Sequence, residues 1–188
     1  MSFSEEELIR GCCRNDRQMQ ELLYQKYSRS MYAVALRYAK MEQEAEDILQ
    51  EAFIKVFQHI EKFRGESSLA YWIKRIIINT ALNHQRSKLY LYPMVDVTEM
   101  KSWGCEGNSI ADIQYQELMA MVSELPDGCR IIFNLYAIEG YKHHEIATLL
   151  GISEGTSKSQ YSRAKCLLQT KIGQYYTVNY GKVGELEG

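Results

Sequence analysis

Breakers of regular structure are nearly missing from the first half of this chain. Pro93 and Pro126 are the only prolines in 188 residues, and before Gly104 there are just two glycines, Gly11 and Gly65. Proline removes a backbone donor and glycine carries a conformational penalty. Long stretches without them, rich in Leu, Ile, Ala, Glu, Gln and Lys, are therefore set up for helices. Ser4 followed by Glu7 forms a capping box that opens a first short helix. A second is predicted from about Asp16, through Leu22, Leu23, Tyr27, Met31 and Tyr32, to about Ala39. A third starts near Gln43 and carries Ile48, Ala52, Val56 and Phe57 along one side. Gly65-Glu-Ser-Ser interrupts the pattern, and Ser67 or Ser68 is suited to cap a fourth helix running to about Arg86.

Residues 89–114 read differently. Tyr90, Tyr92, Pro93, Gly104, Gly107 and Asn108 are interspersed with Asp96, Glu99, Glu106 and Asp112, against Lys101 as the one counter-charge. This is the composition of an acidic linker, either a simple tether or a segment threaded through a channel or mimicking DNA. From Gln114 the helical pattern returns. Pro126 opens a helix ending at Gly140, His143–Leu150 forms another, and a last one runs from Glu154 to about Ile172. The expected fold is all-α, with two small helical domains at residues 1–88 and 115–172. A flexible linker (89–114) joins them and a flexible tail (173–188) follows.

Charge and composition exclude several functions. Lys plus Arg number 22 against 24 Asp plus Glu, a net charge of -2, so the chain is no electrostatic coat for nucleic acid or anionic membrane. Residues 1–7, Met-Ser-Phe-Ser-Glu-Glu-Glu, are acidic where a secretory signal is basic and then apolar, which points to the cytoplasm, and no apolar run approaches a membrane span. The five cysteines, Cys12, Cys13, Cys105, Cys129 and Cys166, are odd in number, scattered and without C-x-x-C, unlike a disulfide framework or zinc site. His143 and His144, adjacent on a helix, point about 100° apart and do not share a metal. There is no phosphate loop, nucleophile elbow or metal-spaced ligand set, so neither catalytic residues nor a metal or cofactor is expected.

Two patterns carry chemistry. Glu145-Ile-Ala-Thr-Leu-Leu-Gly-Ile-Ser153 has the form of a helix-turn-helix. Ala147 is small enough for a close helix crossing, Gly151 tolerates the turn, and Ile146, Leu150 and Ile152 anchor it. Ser153 is placed to cap the following helix, on which Ser157, Tyr161, Ala164, Leu168 and Ile172 fall on one side. Lys158, Ser159, Ser162, Arg163, Lys165 and Gln169 spread over the other, and no acid occurs between Gly155 and Ile172. A basic second helix after such a turn suits the major groove. On the fourth helix, Leu69, Trp72, Ile73, Ile76, Ile77 and Thr80 face inward, while Arg75, Asn79 and Arg86 align opposite with Tyr71 nearby. Cations, an amide and an aromatic on one stripe supply phosphate neutralisation and base contact. Upstream, Asp47, Gln50 and Glu51 edge an amphipathic helix.

These residues, in this order, resemble a known family. Asp47-x-x-Gln50-Glu51-Ala-Phe53, Phe63-Arg-Gly, Trp72, Arg75-Ile, Asn79 and the helix-turn-helix with Gly155-Thr156 and Lys158-Ser159 are similar to bacterial sigma factors. The likeness is to the extracytoplasmic-function (ECF) group of the sigma-70 family and extends over nearly all of residues 5–172. It implies that Asp47, Gln50, Glu51 and Phe53 dock on the β′ clamp helices of core RNA polymerase, with the β flap as a further contact. It implies that Phe63, Ser67, Ser68 and Asn79 form the pocket for a flipped base of the promoter -10 element, supported by Trp72, Arg75 and Arg86. Lys158, Ser159, Ser162 and Arg163 are then the readers of the -35 duplex, and an anti-sigma factor is a typical further partner. The chain departs from the family pattern at Gln160, where Arg is common, at Ser157 and Tyr161, which replace apolar residues, and at His143-His144. The alternative is a polymerase-independent helix-turn-helix regulator, which needs a dimerisation or sensor element that the sequence does not display.

Overall fold

The computed structural model describes residues 3–89 and 115–180, with side chains described to Gln85 in the first stretch and Tyr175 in the second. Every described element is helical, and the chain forms two compact units, Met1–Leu91 and Tyr92–Gly188.

In the first unit, α1 (Glu5–Cys13) opens on the expected capping box, with Glu7 N donating to Ser4 Oγ at 3.2 Å and Ser4 N to Glu7 Oε2 at 2.7 Å. Asp16 caps α2 (Arg17–Tyr38) by accepting from the amides of Gln18 and Met19. After a tight turn, α3 (Glu42–His59) runs into one 3-10 turn, Ile60–Lys62, and a loop leads to α4 (Leu69–Leu89). Helices α2, α3 and α4 pack against one another pairwise, and α1 lies on α2. Tyr27 Oη donates to Glu5 Oε2 at 2.6 Å, fastening α1 to α2.

The core between these helices holds Leu23, Met31, Tyr38, Ile48, Val56, Ile73 and Ile77. Burial of apolar area on this scale is the main stabilising term. On α4, Leu69, Ile73, Ile77 and Thr80 are buried as expected, but Trp72 and Ile76 are only half-buried, and Ile78 is fully buried. The cause is that α4 packs on both α2 and α3 and so buries a wider arc than one face of a wheel. A polar tie closes the bundle's end: buried Gln85 donates to the Tyr38 carbonyl at 3.0 Å and to Glu44 Oε1 at 3.2 Å, while Glu44 Oε2 accepts from Lys40 N at 2.8 Å.

The second unit comprises α5 (Tyr115–Ser123), α6 (Asp127–Phe133), a π turn at Asn134–Ile138, α7 (His143–Leu150) and α8 (Glu154–Tyr180). The π turn is marked by Glu139 N donating to the Asn134 carbonyl at 2.9 Å, and Gly140, at φ 80°, ends the run. Val122, Leu125, Cys129, Ala164 and Leu168 form the core, tying α5 and α6 to α8. Helix α8 continues past Ile172 to Tyr180, with Lys171 bonded to Glu124 and Tyr175 Oη to Glu117 of α5. The expected flexible tail thus begins as helix over 173–180. Residues 181–188 and, in the linker, 90–114 lie outside the described residues. No described helix is long and apolar enough to cross a membrane.

Candidate nucleic-acid interface

Gly151 sits at φ 69°, the left-handed conformation that ends α7 without a Cβ clash. Its amide and that of Ile152 both donate to the Ala147 carbonyl, at 2.9 and 3.1 Å, closing the tight turn. Ser153 Oγ then accepts from Thr156 N at 2.9 Å and caps α8. These local bonds turn the chain from α7 into α8, while Ile146 is buried beneath the pair.

On α8, Ser157, Ala164, Leu168 and Ile172 are buried and Tyr161 is half-buried. Gln160 joins them at 6% exposure, its Oε1 3.1 Å from Cys129 Sγ. At this departure from the family pattern, where Arg is common, the side chain turns into the core and meets an interior thiol donor. Lys158, Ser162, Arg163 and Lys165 are exposed and Ser159 is half-exposed, its Oγ donating to the Thr156 carbonyl. Lys158 Nζ pairs with Glu154 Oε1 at 2.7 Å, and this bond holds the Glu154 carboxyl below the usual carboxylate range. Lys165 Nζ lies over the Tyr161 ring.

The second cluster is on α4 and the loop before it. Tyr71, Arg75 and Asn79 are exposed along the helix, and the described residues end before the Arg86 side chain. Phe63 and Trp72, both half-buried, meet with ring centroids 5.6 Å apart. Gly65, at φ 72°, bends the loop between them. The two serines differ: Ser68 Oγ accepts from Tyr71 N at 3.2 Å as the helix cap, whereas Ser67 Oγ reaches the Ser68 carbonyl at a marginal 3.5 Å.

On α3, Asp47 and Gln50 are exposed, as is Ile54 at 57%, an apolar neighbour that the sequence reading passed over. Glu51 is half-exposed and engaged: Lys55 and His84 hold its carboxylate below the usual range. Phe53 is corrected. It is 2% exposed and lies edge-on to Tyr24 of α2 at 4.8 Å, beneath the exposed residues of α3. Beside Gln50 lies a cleft of about 370 Å³ lined by Tyr24, Ser28, Arg29, Tyr32, Glu46 and Leu49, which no motif had marked because its walls come from two helices. Among the described residues, no group of three or more His, Cys, Asp or Glu is placed to hold a metal ion.

Comparison with known proteins agrees with this geometry. Residues 23–89 match the family model of sigma-70 region 2, and residues 115–167 match that of sigma-70 region 4. The RNA polymerase sigma-H factor of Pseudomonas aeruginosa is 31% identical over 173 residues, covering 86% of this chain and 90% of that protein. The ECF RNA polymerase sigma-E factor of Escherichia coli strain K12 is 26% identical over 182 residues, covering 90% and 95%. The solved sigma factor RpoE of Bartonella quintana, in complex with the anti-sigma factor NepR, shares the fold. It has a TM-score of 0.50 and 21% identity, over 82% of this chain and 96% of that one. The two units thus carry, in order, the two domains of a promoter-recognition subunit. The chain belongs to the sigma-70 family, in its extracytoplasmic-function group, and is an RNA polymerase sigma factor.

Proposed function

We propose that the two units divide promoter recognition as follows. The α3 edge of Asp47 and Gln50, with Ile54 and the adjoining cleft, docks on the β′ clamp helices of core RNA polymerase. Glu51 contributes through the part of its carboxylate left open by Lys55 and His84. The loop bearing Phe63 and Ser67, with Asn79 and Arg75 on α4, takes a base flipped from the -10 element. Unstacking costs a few kcal/mol, offset by aromatic stacking and hydrogen bonds to the base. Trp72 backs Phe63, Ser68 fixes the helix start, and Arg86 is assigned by the family pattern to the DNA backbone. The basic face of α8, Lys158, Ser159, Ser162 and Arg163, enters the major groove of the -35 element.

The observation that carries this reading is the division of α8: Ser157, Gln160, Ala164 and Leu168 turn inward and leave Lys158, Ser162 and Arg163 exposed together. Modest net charge fits a subunit whose larger partner supplies most nonspecific DNA affinity. The same reading places the protein in the cytoplasm, makes the 89–114 linker a segment between two DNA-reading domains, and requires neither a catalytic residue nor a cofactor. An anti-sigma factor covering either face is the regulator it accommodates, and polymerase-independent operator binding becomes unnecessary. Reconstituted transcription tests it. Lys158→Ala with Arg163→Ala should abolish dependence on the -35 element while leaving association with core polymerase intact. Loss of core binding, or an unchanged -35 preference, would count against the assignment.

A further inference from the structure

The rotational setting of a recognition helix decides which side chains meet the base edges, so whatever fixes that rotation shapes specificity. In most helices an apolar stripe does this, but burial is non-directional. At the N-terminal end of α8 the buried positions are polar. Ser157 is fully buried and Gln160 nearly so, and apolar burial resumes only at Ala164 and Leu168. The end of α8 nearest the turn is therefore registered by hydrogen bonds, which are directional.

One bond joins Gln160 to Cys129 on α6. The other joins Ser157 Oγ to His143 Nδ1, at the first residue of α7, at 2.9 Å. The imidazole is itself held on two sides. It stacks on Tyr136 of the π turn, with centroids 4.3 Å apart and planes 14° from parallel, and lies edge-on to Tyr161 of α8 at 5.8 Å. Tyr136 and Tyr161 touch each other at 4.5 Å. A ring so clamped has its nitrogen fixed in direction. It therefore fixes Ser157, and with it the neighbouring Lys158 and, one turn on, Tyr161 and Ser162. A π turn supplying one wall accords with the frequent placement of such turns at functional sites.

We propose that His143 is a positioning residue for -35 recognition: by holding Ser157 it sets the rotation of α8, and so determines which bases Lys158, Ser159, Ser162 and Arg163 read. The proposal rests on the assignment of α8 to the -35 element.

Core RNA polymerase loaded with the full chain is offered a promoter library randomised in both elements, and the transcribed templates are sequenced. The variants are His143→Ala, Ser157→Ala, both together, and His143→Asn, whose carboxamide places a polar atom where Nδ1 stood. The wild type should enrich a defined -35 sequence. His143→Ala and Ser157→Ala should each reduce that enrichment at least fivefold or shift the preferred bases, with the -10 preference retained. The double variant should be no worse than either single one, and His143→Asn should restore most of the preference. An unchanged -35 preference in His143→Ala overturns the proposal, as does multiplicative loss in the double variant. If His143→Ala melts the unit, the folded Ser157→Ala and His143→Asn variants decide by the same criteria. A wild type lacking any -35 preference defeats the assignment of α8 and the proposal together, whereas a wild-type preference that survives the substitutions defeats the proposal alone.

Discussion

The Nε2 of His84 on α4 lies 2.6 Å from Oε2 of Glu51 on α3, and Lys55 Nζ approaches the other oxygen of that carboxylate at 2.6 Å. Lys55 also reaches Thr80 Oγ1 at 3.3 Å, so one acidic group bridges the helix assigned to polymerase docking and the helix assigned to -10 recognition.

A pH dependence follows. The bonds from Lys55 and then His84 hold the Glu51 carboxyl below its ordinary range when folded. A depressed folded pKa contributes stability that is fully present above the unfolded value and lost as pH falls through the folded one. The first unit should therefore lose stability on acidification below the normal carboxylate range, and Glu51→Gln should flatten that limb. Because the side chain is 43% exposed, the difference should be at most about 1 kcal/mol. Urea unfolding of both proteins across the acid range measures it. Equal acid sensitivity would show that the bridge is not linked to folding.

Ser67 and Ser68 should separate by phenotype. Ser68 Oγ caps α4, so Ser68→Ala should cost about 1 kcal/mol of stability. Ser67→Ala should leave the melting temperature unchanged and slow promoter opening, measured by permanganate reactivity of unpaired thymines at the -10 element. If Ser67→Ala opens promoters normally, its hydroxyl takes no part in base capture.

On α3, packing and docking separate the same way. Phe53→Ala removes a fully buried ring and should destabilise the unit by about 3–5 kcal/mol. Gln50→Ala and Ile54→Asp, at exposed positions, should leave stability nearly unchanged and weaken core polymerase binding by up to about tenfold each. Calorimetry and polymerase titration give both readings. A polymerase defect without destabilisation in Phe53→Ala would place that ring in the docking surface itself.

The Lys158–Glu154 pair holds one of the proposed -35 contacts within the chain. Glu154→Gln should release it and raise promoter affinity severalfold at most, since an exposed pair is weak. Lys158→Ala should lower affinity and reduce the slope of log affinity against log salt by about 1. Holoenzyme binding to promoter DNA at graded salt tests both, and an unchanged affinity and slope in Lys158→Ala would remove it from the DNA contacts.

Features resting on local chemistry were legible in the sequence. The Ser4–Glu7 box, the Ser153 cap and the left-handed Gly151 each involve groups within a few residues of one another, and the structure places them as read. So does the exposed basic face of α8. Features requiring a second helix were not. Phe53 is buried because Tyr24 of α2 covers it, and Gln160 because the Cys129 thiol offers a donor. A single helical wheel contains neither neighbour. Likewise Ile78 is buried because α4 meets two helices, and the cleft beside Gln50 exists only once α2 and α3 are packed. The continuation of α8 to Tyr180 is supported by Tyr175 reaching Glu117, a contact across 58 residues that no local period announces.

The central claim is that these two units act as a promoter-specificity subunit on core polymerase. Size-exclusion chromatography of purified chain with core polymerase, followed by transcription over genomic DNA with start-site mapping, tests it in one preparation. The account predicts co-elution and initiation at a limited set of positions not used by core polymerase alone. Separate elution together with an unaltered pattern of starts would contradict it.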